Sequence, residues 1–112
     1  MKFVCGVVVK VRDEQDAIED GLLSLLDQSL KPFIVVVNDG SVDRTEEIAS
    51  RYADAVVNLP RHEESWVGRP ELARVVNAGL DVLKSEELEF VWVSLAMATM
   101  ILLFGDPEEE YN

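Results

Sequence analysis

At 112 residues the chain has room for a single domain with a core of its own. Ten basic residues against 22 acidic ones give a net charge of -12, which repels phosphodiester backbones and anionic headgroups and so excludes nucleic acid and a peripheral membrane surface as partners. One cysteine, Cys5, excludes a disulfide framework and a thiolate metal site; inside an apolar strand pattern it reads as a buried, inert thiol.

The N-terminal stretch MKFVCGVVVKVRDE has an apolar run too short for a secretory signal, with charges where a cleavage site would stand, so a cytoplasmic chain is expected. Phe3 to Val9 is apolar and β-branched without alternation, the pattern of a strand covered on both faces. Glu14 to Gln28 carries Ile18, Leu22, Leu25 and Leu26 at helical spacing, with acids in its first turns where the helix dipole favours them. Lys31-Pro32 closes that unit, and Phe33 to Val37 is a second buried strand. Turn formers follow in Asn38, Asp39 and Gly40. A helix then runs over Arg44 to Tyr52, with Asp43 and Glu46 as its capping pair. A short strand over Ala55 to Asn58, a polar loop from Leu59 to Gly68 and a helix from Pro70 to Lys84 come next, proline suiting a first turn.

Ser85 to Glu89 is an acidic hinge, and Phe90 to Ser94 is the fourth strand. The apolar run from Phe90 to Phe104 is short of the roughly 20 residues that span a bilayer. It reads as buried core and against direct membrane insertion. Strands alternating with helices imply an α/β fold, three-layer α/β/α around a mainly parallel sheet, with right-handed crossovers. The expected division is a domain over 1–105 and a frayed acidic tail over 106–112.

The segment Ile34 to Thr45, IVVVNDGSVDRT, resembles the V-x-D-D-G-S-x-D-x-T element of the nucleotide-sugar-dependent glycosyltransferases of GT-A fold, above all their large inverting family. The likeness extends from Phe3 to about Gly105, in the order strand, helix, NDGS turn, Asn-x-Gly helix, strand. It implies a Rossmann-like nucleotide-binding half. Asp39 lies at the carboxyl end of a strand, where ligands of open α/β sheets bind, and matches the acid that in the family accepts a hydrogen bond from the donor base. Asn38 replaces the acid before it.

Lys10 to Glu14, KVRDE, resembles the family's Pro-x-Arg-Asn-Glu loop, which lies against the nucleotide. Arg12 and Glu14 are kept; Lys10 and Asp13 depart from the pattern. Ammonium and guanidinium groups suit a diphosphate, whereas the plainer reading has Lys10, Arg12 and Asp13 solvating a strand-to-helix junction, with Asp13 as helix cap. Gly68-Arg69 followed by Asn77-Ala78-Gly79-Leu80 resembles the family's Gly-Lys…Ala-x-Asn-x-Gly. That likeness implies a role facing the pyrophosphate for Arg69, or for Arg74 in its place. His62, between Arg61 and Glu63 with no partner motif, reads as a surface residue.

After its fourth strand the family carries Asp-x-Asp, whose carboxylates hold Mg²⁺ or Mn²⁺ against the donor diphosphate. Phe90 to Leu102 reads FVWVSLAMATMIL; aligned on Leu95 and Thr99, it puts Ala96 and Ala98 where both carboxylates belong. Methyl groups bind no cation, so no metal cofactor is expected. The family's catalytic base lies farther downstream, and Asp106 and Glu108 to Glu110 match none of its motifs, so no catalytic residue is assigned.

The expectation is a domain that binds a nucleoside diphosphate sugar weakly and does not turn it over alone. The alternative is a noncatalytic interaction or regulatory module that kept the fold; nucleotide binding separates the two. A receiver-like signalling domain would need an acceptor aspartate ending the third strand, where this chain has Asn58. Uncovered apolar residues over Val93 to Phe104, Met97, Met100 and Ile101 among them, lead to an expected homo-oligomer.

Overall fold

Valine runs with no polar alternation need cover on both sides, and the chain supplies it from two sets of helices. The computed structural model describes residues 5–29, 31–63, 70–88 and 90–94. In chain order the elements are β1 (Cys5–Val11), α1 (Ile18–Leu26), β2 (Phe33–Asp39), α2 (Thr45–Tyr52), β3 (Ala55–Leu59), α3 (Leu72–Leu83) and β4 (Phe90–Ser94). The strands form one sheet in the order β3-β2-β1-β4, and each pairing is parallel.

Alternation along each strand sorts the core in two. Val7, Val9 and Val11 of β1 and Ile34 and Val36 of β2 pack with Ile18, Leu22, Leu25 and Ala49, so α1 and α2 cover one face. Val8, Val35 and Val37 pack with Val75 and Leu83, so α3 covers the other. This is the three-layer α/β/α arrangement expected from the sequence. Each fully buried valine or leucine contributes roughly 1.5–3 kcal/mol. Close approach of α3 depends on Gly79, where a Cβ would lie 2.5 Å from Val8 Cγ1 and 2.9 Å from Val37 Cγ2.

Element boundaries move by a few residues, for local reasons. β1 and β2 continue to Val11 and Asp39 because Lys10 stays paired with Val37 and Val11 with Asn38. α1 begins at Ile18 rather than Glu14, since residues 14–17 form a turn in which the Glu14 carbonyl accepts the N–H groups of Ala17 and Ile18 at 3.0 and 2.9 Å. Cys5, the first residue of β1, is half-buried rather than buried, and desolvation pushes its thiol up.

The expected burial of the stretch from Phe90 is corrected for two residues: Val91 is 46% and Val93 43% exposed. β4 pairs with β1 alone among the described residues. The rest of the expected association surface, to Phe104, and the tail over 106–112 lie outside the described residues, as do Arg69, Ala96 and Ala98.

The path from β1 through β2 to β3 steps outward across the sheet, after which α3 carries the chain back over the other face to β4, beyond β1. That reversal opens a crevice at the carboxyl ends of the strands, the usual ligand position in such sheets.

Candidate functional site

At the carboxyl edge, polar residues take over the positions valines hold farther back. On the α3 side, Val8 is followed by Lys10 along β1 and Val37 by Asp39 along β2. Lys10 is 8% exposed and Asp39 is fully buried. The alternation sends Asn38 to the opposite face. There its Nδ2 donates to Oδ1 of its register partner Asn58 at 3.0 Å, Asn58 Nδ2 donates to Glu46 at 3.2 Å, and Asn38 Oδ1 accepts the Ser41 N–H. An ionised carboxylate cannot donate, which accounts for an amide at position 38.

Asp39 is engaged by two side chains. His62 Nε2 lies 2.8 Å from Oδ2 and 3.0 Å from Oδ1. Arg12 Nη1 is 4.0 Å from Oδ2 and 2.9 Å from the His62 ring nitrogens, and Arg12 Nη2 donates to the His62 carbonyl. Guanidinium only donates, so the tautomer that satisfies both contacts is neutral, with Nδ1 accepting from Arg12 and Nε2–H donating to Asp39. His62 is therefore not the solvated surface residue expected from its polar loop. β3 ends at Leu59 on the same edge as β2, and three further residues bring the ring over Asp39.

Asp13 likewise differs from expectation. It does not cap α1, whose N-cap is Ala17 with no side-chain bond. With φ at 50°, Asp13 turns toward the neighbouring loop, where its N–H donates to Ser41 Oγ at 2.9 Å and its Oδ1 accepts the Val42 N–H at 2.8 Å. Arg61 Nη1 pairs with Asp13 Oδ2 at 3.0 Å and donates to the Gly40 carbonyl at 2.7 Å. The Val42 amide, aided by Arg61 against a desolvation cost, holds the Asp13 carboxyl below its usual range.

Nor do Asp43 and Glu46 form the expected capping pair: the N-cap of α2 is Arg44, with no side-chain cap bond. From the residue before it Asp43 accepts from the Thr45 N–H at 2.9 Å and from the Thr45 hydroxyl, while Glu46 accepts from Asn58. Desolvation, joined by the nearby Asp13 charge, pushes Asp43 up, but the Thr45 and Gln15 hydrogen bonds outweigh both and leave its carboxyl lowered.

Glu14 has the opposite character. Its N–H donates to Thr45 Oγ1 at 2.8 Å, yet its Oε2 is buried with no partner among the described residues. Burial pushes its carboxyl up, opposed by the Lys10 charge. A raised folded pKa favours the folded state at low pH, and that contribution is lost as pH rises through the raised value. Glu14→Gln should therefore unfold at higher urea than the wild type at about pH 7 and lose that advantage by about pH 3.5, where the carboxyl is protonated in both states. Equal urea midpoints at both pH values would contradict this account.

Beside His62 is a cleft of about 330 Å³ lined by Leu59, Pro60, Arg61, His62 and Arg74. Of the residues nominated from the sequence, Arg12 and Asp39 meet through His62, Lys10 shares their edge of the sheet, and Glu14 stands in the turn that follows. Arg74 reaches the cleft. Among the described residues no three His, Cys, Asp or Glu side chains form a group able to hold a metal ion, and no helix is long and apolar enough to cross a membrane.

The sequence model of the family described as Glycosyl transferase family 2 matches residues 6–93, from within β1 to within β4. A comparison with curated proteins finds no match.

Proposed function

The chain belongs to glycosyl transferase family 2, and on that premise we propose that it binds the nucleoside diphosphate part of a sugar donor at the carboxyl ends of β1 and β2 without itself transferring the sugar. The observation that carries this reading is Asp39, a fully buried carboxylate at the end of β2 with Arg12 beside it. An ionised carboxylate at that depth only accepts, which suits a base presenting an N–H, as uracil and guanine do. Lys10, Arg12 and Arg74 supply cations for the phosphates, and Glu14, in the turn after β1, borders the same loop.

Absence of turnover in this reading rests on positions 96 and 98. A divalent cation in the family neutralises charge building on the leaving diphosphate, but alanine methyls offer it no oxygen ligand. The residues at those positions do not fit the metal, so no step is assigned to one. Weak binding follows, in the millimolar range or about -4 kcal/mol. Self-association along β4 belongs to the same reading, supported by the exposed Val91 and Val93.

Titration with UDP and GDP, followed by amide NMR across a protein dilution series, tests the proposal. Shifts centred on Asp39 and on Lys10 to Glu14, without added metal, are the expected result; no shifts with either nucleotide would refute it. The double change Ala96→Asp, Ala98→Asp should add a Mn²⁺-dependent tightening of about tenfold, since two carboxylates plus diphosphate oxygens make a hard-cation site. A folded double variant indifferent to Mn²⁺ would show that the two alanines do not stand at the metal position.

A further inference from the structure

We propose that Pro60 to His62 form a self-inhibitory latch, in which His62 occupies with its own N–H the place on Asp39 that a nucleobase would take. The inference rests on the donor-site reading above and concerns how that site is regulated. Asp39 is buried, its side chain only 1% exposed, and both its carboxylate oxygens lie within hydrogen-bonding distance of His62 Nε2. A ligand N–H reaches that carboxylate only after the ring leaves.

The ring is not held by Asp39 alone. Arg12 grips the His62 carbonyl and ring, and Arg61, the residue before His62, is fastened through its guanidinium to the Asp13 carboxylate and the Gly40 carbonyl. The loop thus sits directly on the turn that carries Asp39, closely enough that a Cβ on Gly40 would fall 2.3 Å from Arg61 Cα.

Exchange between latch and ligand is chemically balanced. Nε2–H on a carboxylate and an imide N–H on a carboxylate are the same kind of contact, so displacement leaves no buried anion unpaired. Among the described residues, charged groups near the ring include Arg12 from the β1 loop, Asp39 from β2, Arg61 from its own loop and Arg74 from α3 across the cleft. That cleft of about 330 Å³ gives the imidazole somewhere to go. The closed form lowers apparent affinity in proportion to the fraction of molecules that are open.

The test is calorimetric titration of UDP and GDP into the full chain as wild type, His62→Ala, Arg61→Ala and His62→Gln, each checked for a folded amide spectrum. His62→Ala should bind about tenfold tighter than wild type, and Arg61→Ala should shift the same way by less. His62→Gln, whose amide N–H can still donate to Asp39, should stay near wild type. In the wild type, nucleotide should also change the His62 imidazole ¹H–¹⁵N signals as Nε2–H leaves the carboxylate. If the wild type binds but His62→Ala binds equally or more weakly, or the imidazole signals stay fixed at saturation, the latch is overturned while the donor site stands. If no protein in the series binds either nucleotide at millimolar concentration, the donor-site reading falls and the latch with it.

Discussion

Asp39→Ala is expected to abolish nucleotide binding and to lower the unfolding free energy by about 3 kcal/mol, the usual scale for removing one partner of a buried charge pair. The carboxylate is 1% exposed at its side chain, and Arg12 and His62 beside it are each 14% exposed. Without it the largely buried Arg12–His62 contact is left with no carboxylate from Asp39 beside it, and the His62 Nε2–H loses its acceptor. Asp39→Asn separates the two contributions. Its amide oxygen can still accept from His62, so it should recover part of the stability while binding no nucleotide base as well as the wild type does. Urea unfolding of the three proteins measures the first effect and nucleotide titration the second. An alanine variant as stable as the wild type would show that Arg12 and His62 reach water freely and that the network contributes nothing to the fold.

Gly40→Ala should be comparably damaging, by about 3 kcal/mol, for reasons that have nothing to do with charge. Gly40 has φ of +67°, a left-handed conformation that costs a side-chain-bearing residue roughly 1–2 kcal/mol. Its new Cβ would also meet Arg61 Cα at 2.3 Å, Arg61 N at 2.8 Å and Arg61 Cβ at 2.7 Å. Those neighbours are main chain and its first side-chain atom, so no rotamer change relieves the clash; the loop itself must lift, a displacement of the kind that costs about 1–3 kcal/mol. Lifting it frees Asp39. The variant should therefore lose stability while keeping or tightening its hold on UDP or GDP, an opposition of sign that Asp39→Ala does not show. Unchanged thermal unfolding would mean that the loop yields without cost.

The layered fold was legible because Val7 to Val9 and Ile34 to Val37 are apolar without alternation, a pattern that water on either face would not tolerate. Asp39 was legible as well, since a strand that ends in a turn-forming acid marks the carboxyl edge of the sheet. His62 was not. Its contacts lie 23 residues away at Asp39 and 50 away at Arg12, and nothing local to the loop announces them. The available signal was topological: a lone histidine three residues beyond β3, on the edge where Asp39 must stand. Asp13 was missed for a related reason, because a helix cap is a local choice and the bonds it makes, to Val42 and Arg61, come from other loops. Strand ends ran long for the same cause, as polar Lys10 and Asn38 stay in register with neighbours the sequence does not name.

The division of cover between the two faces of the sheet has a consequence while the chain is being made. By the time His62 has been added, β1, α1, β2, α2 and β3 all exist, and the face beneath α1 and α2 can close. Val8, Val35 and Val37 on the other side wait for Val75 and Leu83 of α3. At roughly 5–20 residues per second of synthesis, the sheet spends on the order of seconds as a half-clothed layer with a bare valine surface. That nascent form, rather than the finished domain, is the one with most reason to meet a chaperone.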